Sequence, residues 1–251
     1  FSRIQFTPDL MPSDVLGTTV FNMKTNGFDF HQGPIFADIV LVDEINRAPA
    51  KTQAALFEVM EERQVSIDGT THRMGELYTI LATQNPVEQE GTYKLPEAQL
   101  DRFLMKITMD YPSLEEEVNI LERHHTNAAL VKLEDVTPVL TKEELLSLRA
   151  LMSRVFVDRT LLQYIALIVQ QTRTSKAVYL GASPRASVAM LQSSKAYALL
   201  QGRDFVTPED IKFVAPYVLQ HRLILTAEAE MEGYSPVKVT QRVIDKVEVP
   251  K

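Results

Sequence analysis

Apolar positions follow two rhythms along this chain, and the change falls after Tyr111-Pro112. Before it, short unbroken apolar runs alternate with stretches of helical spacing. Arg3 to Phe6 reads as a short strand. Asp38-Ile39-Val40-Leu41-Val42-Asp43-Glu44 is a near-continuous apolar run ending in two carboxylates. Without polar alternation, such a run predicts a strand buried on both faces, as in a parallel sheet. Tyr78 to Thr83 repeats the pattern, and Phe103 to Met109 predicts a fourth strand. Between the second and third, Lys51 to Gln64 sets Ala55, Leu56, Val59, Met60 and Arg63 at helical spacing. Strands alternating with helices predict an α/β sheet. Two segments interrupt the rhythm. Gly17 to Pro34 carries three glycines among Phe21, Phe28 and Phe30 and reads as an inserted loop or hairpin. Val65-Ser66-Ile67 runs into Asp68-Gly69, which predicts a hairpin over about 64–74.

Beyond Pro112 the spacing is helical nearly throughout. Ser113 caps a helix with Glu115, Glu116 and Glu117 in its first turn, as the helix dipole favours. Thr141 with Glu144 forms a capping box ahead of Leu145, Leu146 and Leu148. Thr207-Pro208 opens another helix with Pro at its first position. The apolar stripes in 145–170 and 188–200 predict the core of this helical part. The boundary falls within 126–141, where Asn127 to Pro138 is mixed and turn-like. The expected organisation is an α/β core over 1–130 and an all-α domain over 131–251. No internal repeat is visible.

Composition narrows the class. With 251 residues, 45% of them hydrophobic and 24% charged, the chain is long enough for a real core and reads as a soluble globular protein. Disordered, collagen-like and low-complexity states are excluded. The absence of cysteine removes disulfides, thiolate metal sites and cysteine nucleophiles, and fits a reducing, cytoplasmic setting. A net charge of −7 argues against a global nucleic-acid footprint. No apolar run approaches the ~18 residues of a membrane span. Phe1 to Phe6 lacks the basic and apolar regions of a signal peptide. His31, His72, His124, His125 and His221 show no H-E-x-x-H spacing, and no G-x-S-x-G elbow occurs.

Four places carry candidate chemistry. An apolar strand ending in Asp43-Glu44 suits a nucleotide hydrolase: an Asp can orient magnesium and its waters, and an adjacent Glu can polarise the attacking water. It is equally a buried strand that ends in surface acids. Ala82-Thr83-Gln84-Asn85-Pro86 follows the third strand, where a polar residue could hydrogen-bond water or phosphate, or simply make a turn. Arg102 precedes the fourth strand; arginine stabilises charge on a transferring phosphoryl group, but this one could equally pair with Asp101 or Glu97. Gly181-Ala182-Ser183-Pro184-Arg185 opens a helix with a cation in the first turn, which the dipole disfavours, so an anionic partner is suggested beside the plainer reading of a surface arginine.

Taken in order, these signals closely resemble the MoxR family of AAA+ ATPases. Asp43 to Gln53 and Ala82 to Phe103 match that family almost without a break, the second run including Asn85-Pro86-Val87-Glu88-Gln89-Glu90-Gly91-Thr92-Tyr93; Thr7 to Asp14 matches as well. The resemblance covers essentially the whole chain. It implies an AAA+ P-loop-type parallel sheet followed by an all-α lid, and it implies roles. Asp43 and Glu44 would be the Walker B pair, Asp43 on the magnesium of Mg-ATP and Glu44 the catalytic base. Asn85 would be sensor 1. Arg102 would be the arginine finger, acting on a neighbouring subunit's nucleotide, and Arg185 would be sensor 2. Residues 17–36 would be the helix-2 insert, 64–74 the pre-sensor-1 hairpin, and Arg47 would face a subunit interface. The implied cofactors are ATP and Mg2+. The implied assembly is a homo-oligomeric ring, usually a hexamer, which remodels or matures client proteins, among them complexes with von Willebrand A-type domains.

The family also needs a loop of the G-x-x-x-x-G-K-[ST] type to cradle phosphates. No Gly is followed by Lys in this chain. In the family that loop lies upstream of the segment resembling Phe1 to Asp14, and its strand lies centrally, between those matching 78–83 and 103–109. The sheet of these residues is therefore expected to be incomplete, since unpaired buried backbone groups cost of order 1–3 kcal/mol each. A polypeptide of these residues is expected to come from a longer protein, to bind ATP poorly and not to turn it over. Two other readings stand beside the chaperone-like ATPase. A nucleic-acid motor of a related branch would line its hairpin with basic and aromatic residues. Here Gln64 to Met74 holds one Arg and one Asp, which favours a protein partner and no nucleic acid. A non-catalytic assembly module is disfavoured by the intact Asp43, Glu44, Asn85, Arg102 and Arg185.

Overall fold

A computed structural model describes residues 1–85, 92–126 and 136–250. The chain divides into two compact units, Phe1–Leu104 with Gly181–Val188, and Met105–Leu180 with Ala189–Lys251. The turn-like stretch from Asn127 to Asp135 and the motif residues Pro86 to Gly91 lie outside the described residues.

The first unit runs β1 (Ser2–Gln5), α1 (Pro12–Leu16), β2 (Gly17–Asn22), β3 (Gly27–Gln32), β4 (Ile39–Asp43), α2 (Ala50–Glu62), β5 (Gln64–Ile67), β6 (Thr70–Arg73), β7 (Thr79–Ala82) and α3 (Glu97–Leu100). Strands β1, β4 and β7 form a parallel sheet with β4 in the middle. Register explains its two faces. Ile4 lies beside Val42, Val40 beside Ile80, and Val42 beside Ala82, so these five share one face. That face packs into a core with Phe6, Val15, Ile35, Leu56, Phe57 and Val59. The other face holds Arg3, Gln5, Leu41 and Asp43, and Leu81 there is 53% exposed. The apolar run is thus buried on one face rather than both, because the packed core covers only the side of Val40 and Val42.

Helix α2 buries Thr52, Gln53, Leu56, Phe57 and Val59 and ends at Arg63, whose left-handed backbone returns its N–H to the Val59 carbonyl at 2.9 Å. Buried Gln53 donates to the carbonyls of Ile45 (3.2 Å) and Ala48 (3.1 Å), and the Thr52 hydroxyl donates to that of Leu10 (2.6 Å). These bonds tie the segment after β4 to the helix. The segment read as an inserted loop or hairpin is a hairpin, and the hairpin expected over 64–74 forms as well. Strands β2 and β3 pair antiparallel, as do β5 and β6. The second closes through Asp68 and Gly69, both at positive φ (49° and 78°), the backbone that an Asp-Gly hairpin turn requires.

The expected strand over Phe103–Met109 is not there. Ile107, Met109 and Tyr111 are exposed, and the backbone N–H of Lys106 bonds to the Tyr217 carbonyl at 2.9 Å. Extended chain becomes a strand only with a ladder partner, and this segment spends its donor on a helix end instead.

The second unit holds α4 (Leu114–His125), α5 (Lys142–Leu151) with a 3-10 turn at Met152–Arg154, α6 (Arg159–Thr174), β8 (Val178–Leu180), most of α7 (Pro184–Leu200), α8 (Pro208–Leu219), β9 (Ile224–Leu225), α9 (Ala227–Met231) and α10 (Pro236–Lys246). The caps expected at Ser113, Thr141 and Thr207 form, each as a reciprocal box with the acid three residues on. The core comes from Tyr164, Ile165 and Ile168 of α6, Ile211, Val214 and Val218 of α8, and Val239, Val243 and Ile244 of α10. Helix α5 departs from expectation. It buries no residue, and Leu145, Leu148 and Leu151 stay exposed. Periodicity marks an apolar face but does not supply what covers it. Among the described residues no helix is long and apolar enough to cross a membrane.

Candidate functional site

Parallel pairing puts the C-terminal ends of β4 and β7 side by side, and the candidate acids stand at that edge. Asp43 ends β4. On the same sheet face, Arg3 Nε meets Asp43 Oδ2 at 2.6 Å. Beyond β7, Thr83 continues the ladder, its N–H bonding to the Val42 carbonyl at 2.9 Å. Its hydroxyl donates to Asp43 Oδ1 (3.3 Å) and accepts from the Glu44 N–H (3.0 Å). The Thr83 carbonyl takes the Ile45 N–H at 3.0 Å.

Glu44 has φ +54°, a left-handed backbone that a side-chain-bearing residue adopts at a cost. The bonds from Glu44 and Ile45 to Thr83 hold that turn. Its effect is to break the alternation of the strand, so that Asp43 and Glu44 both stay at the sheet edge. Glu44 Oε2 accepts from Gln5 Nε2 (2.8 Å) and pairs with Arg47 Nε (3.0 Å). Each acid therefore has its own cation, Arg3 for Asp43 and Arg47 for Glu44. Asn85 lies two residues past Thr83 and is exposed; its carbonyl accepts from Asn46 Nδ2 at 3.5 Å.

Arg102 and Arg185 come together elsewhere in the same unit. Both guanidinium groups pair with the carboxylate of Glu61 in the last turn of α2, Arg102 on Oε2 and Arg185 on Oε1. Arg102 Nη1 also donates to the Phe57 carbonyl at 3.0 Å. The sequence allowed Arg102 to pair with Asp101 or Glu97. Asp101 instead accepts from the Ser183 hydroxyl (2.8 Å), and Ser183 caps α7 by accepting from the Arg185 N–H (3.1 Å).

The oxygens at Asp43 suit a magnesium ion that travels with a nucleotide. Such an ion keeps most of its waters and takes one or two carboxylates plus phosphate oxygens. Asp43 would supply one carboxylate, with the Thr83 hydroxyl beside it. Among the described residues no cluster of three or more His, Cys, Asp or Glu forms a cage made of protein alone.

The sequence pattern points to Asp43, Glu44, Asn85, Arg102 and Arg185, and gives no role to Arg3, Gln5, Thr83 or Glu61. A hydroxyl at the tip of an apolar strand was the available signal for Thr83, and polar residues alternating in the short first strand were the signal for Arg3 and Gln5.

Strand-end acids on a parallel sheet and a helical unit fit an AAA-type ATPase with a lid, and the family matches show that class. Residues 1–105 match the family described as "ATPase family associated with various cellular activities (AAA)", and residues 170–246 match the AAA lid domain. An uncharacterized protein of Bacillus subtilis, YeaC, is 48% identical over 250 residues, covering 100% of this chain and 77% of that one. The chaperone MoxR1 of Mycobacterium tuberculosis is 45% identical over 260 residues, covering 100% of this chain and 68% of its own. A crystal structure from Cytophaga hutchinsonii, provisionally described as an ATPase, superposes with a TM-score of 0.90 at 42% identity, covering 100% and 78% of the two chains. The chain belongs to the MoxR family of AAA+ ATPases.

Proposed function

We propose that the full-length protein is an ATP-hydrolysing, chaperone-like remodeller of partner proteins that works as a homo-oligomeric ring, with a hexamer as the expected size. The observation that carries this reading is the pairing of Asp43 and Glu44 at the edge of the sheet, each carboxylate fixed by its own neighbours. Magnesium bound with ATP would neutralise phosphate charge there. Asp43, freed from Arg3, would hold that ion through its water shell. Glu44 takes the proton of the attacking water, which requires it to leave Gln5 and Arg47. Asn85, at the tip of the neighbouring strand, orients that water or the terminal phosphate. Arg102 stabilises the charge developing on a neighbouring copy's nucleotide, and Arg185 binds phosphate. The α/β core over 1–130 would carry the chemistry, with the lid over 131–251.

A protein client, such as one with a von Willebrand A-type domain, fits better than nucleic acid. The β5–β6 hairpin uses Asp68 to accept from the Thr19 hydroxyl (2.5 Å), and its His72 packs against Phe30 with the rings tilted and their centroids 4.4 Å apart. An acid at the tip and a ring already engaged make a poor phosphate-binding surface. A cytoplasmic location is part of the proposal.

The test is turnover by the full-length protein and by its Glu44→Gln variant. The variant is expected to bind ATP and hydrolyse it at least tenfold more slowly. An unchanged rate would remove Glu44 as the base. A polypeptide of residues 1–251 alone is expected to bind ATP poorly, because it contains no G-x-x-x-x-G-K-[ST] run; micromolar affinity would overturn that.

A further inference from the structure

Glu61 is an acid in the last turn of α2, where the helix dipole disfavours negative charge. Arg185 is a cation in the first turn of α7, where the dipole disfavours positive charge. Each occupies the wrong end of its own helix, and each is compensated by the other. Arg102 joins them, so two guanidinium groups close on the two oxygens of one carboxylate. Arginine stays charged at any ordinary pH. Two cations around one carboxylate leave a net charge of +1.

A carboxylate gripped by two arginines resembles a phosphoryl group gripped by two arginines, since both present anionic oxygens that match guanidinium forks. No step of the hydrolysis falls to Glu61, and its position against the dipole has no explanation within α2. Beyond the phosphate roles already given to Arg102 and Arg185, we propose that Glu61 is an internal competitor that occupies both arginines when no phosphoryl anion is bound to them. The inference rests on the proposed ATPase reading for the identity of the natural ligand, a nucleotide phosphate. It adds that Glu61 sets how readily the two arginines are released together. Glu61 is a positioning residue: it touches the arginines and not the nucleotide. All three side chains are partly exposed, at 30% for Arg102, 33% for Glu61 and 49% for Arg185, so the contacts can exchange without opening the core.

The probe is inorganic phosphate, titrated by calorimetry against the full-length protein, its Glu61→Gln variant, and Glu61→Gln combined with Arg102→Ala and Arg185→Ala. Glu61→Gln keeps the shape and removes the charge. It is expected to bind phosphate three- to tenfold more tightly than wild type, and the triple variant is expected to lose that gain. Equal or weaker binding by Glu61→Gln overturns the proposal, and so does a gain that survives in the triple variant. A purely structural Glu61 would not make its effect depend on the two arginines. Wild-type ATP turnover is measured alongside. Turnover without the phosphate gain rejects the role of Glu61 and keeps the ATPase reading; the gain without turnover keeps the role of Glu61 and rejects that reading.

Discussion

The Thr83 hydroxyl donates a 3.3 Å hydrogen bond to the Asp43 carboxylate. The same oxygen accepts the Glu44 N–H at 3.0 Å, so one side chain bridges both acids and holds Glu44 in its left-handed turn. Thr83→Val keeps the shape and removes both bonds. At about 1 kcal/mol per hydrogen bond, the two together amount to about 2 kcal/mol, so turnover of the full-length protein is expected to fall roughly thirtyfold, with ATP binding retained. Unchanged turnover would show that the acids hold their places without Thr83.

Arg102→Ala in the full-length protein is expected to abolish turnover while nucleotide binding persists. Equilibrium binding and steady-state hydrolysis, measured together, separate the two. Wild-type turnover would argue against a finger acting on a neighbouring nucleotide and leave Arg102 as a partner of Glu61 alone.

Asp210 is an interior acid of the second unit, 2% exposed, with both its oxygens bonded by Arg203 (2.5 and 2.8 Å) and further bonds from the backbone and hydroxyl of Thr207. Burial raises its pKa, but the bonds from Arg203 and Thr207 and the Arg203 charge outweigh it, and the carboxyl is held below its ordinary 3.8. A carboxyl more acidic in the fold than in the unfolded chain adds stability that is present above pH 3.8. That stability is lost as pH falls through the lower folded value. Asp210→Asn is expected to cost about 1.5–3 kcal/mol at pH 7 and to flatten the acid limb of the stability curve. Urea unfolding at pH 7 and at lower pH values checks both; an equal slope in the two proteins would exclude Asp210 as a source of acid sensitivity.

Two glycines test two different reasons for glycine. Gly69 has φ +78° and open space where a Cβ would stand, so Gly69→Ala meets backbone strain only, roughly 1–2 kcal/mol. Gly17 has φ +99°, and a Cβ there would collide with the carbonyl oxygen of His31 across the base of the β2–β3 hairpin. Gly17→Ala is expected to cost clearly more. Denaturant midpoints that rank the two the other way would contradict the hairpin geometry.

Much of the protein is decided by interactions a few residues long. Ser113 with Glu116, Thr141 with Glu144 and Thr207 with Asp210 each close a helix within one turn. Asp68-Gly69 dictates its hairpin because both residues tolerate positive φ. Asp43 and Glu44 are legible as a candidate site because an apolar run carries them to a strand end. Such signals act within a turn or along one strand, so the residues that make them are neighbours in the sequence too.

Only the folded chain decides which distant groups meet. Phe103–Met109 has the pattern of a strand, but pairing requires a partner, and its Lys106 N–H goes to the carbonyl of Tyr217. The leucines of α5 have the pattern of a core face, yet no described residue buries them. Arg102 had two acids close by in sequence and pairs with neither; Glu61 on α2 holds it, together with Arg185 from a helix far along the chain. A charged side chain reaches several ångströms and responds to any opposite charge within that radius. Sequence proximity supplies only a few of those candidates, and packing supplies the rest.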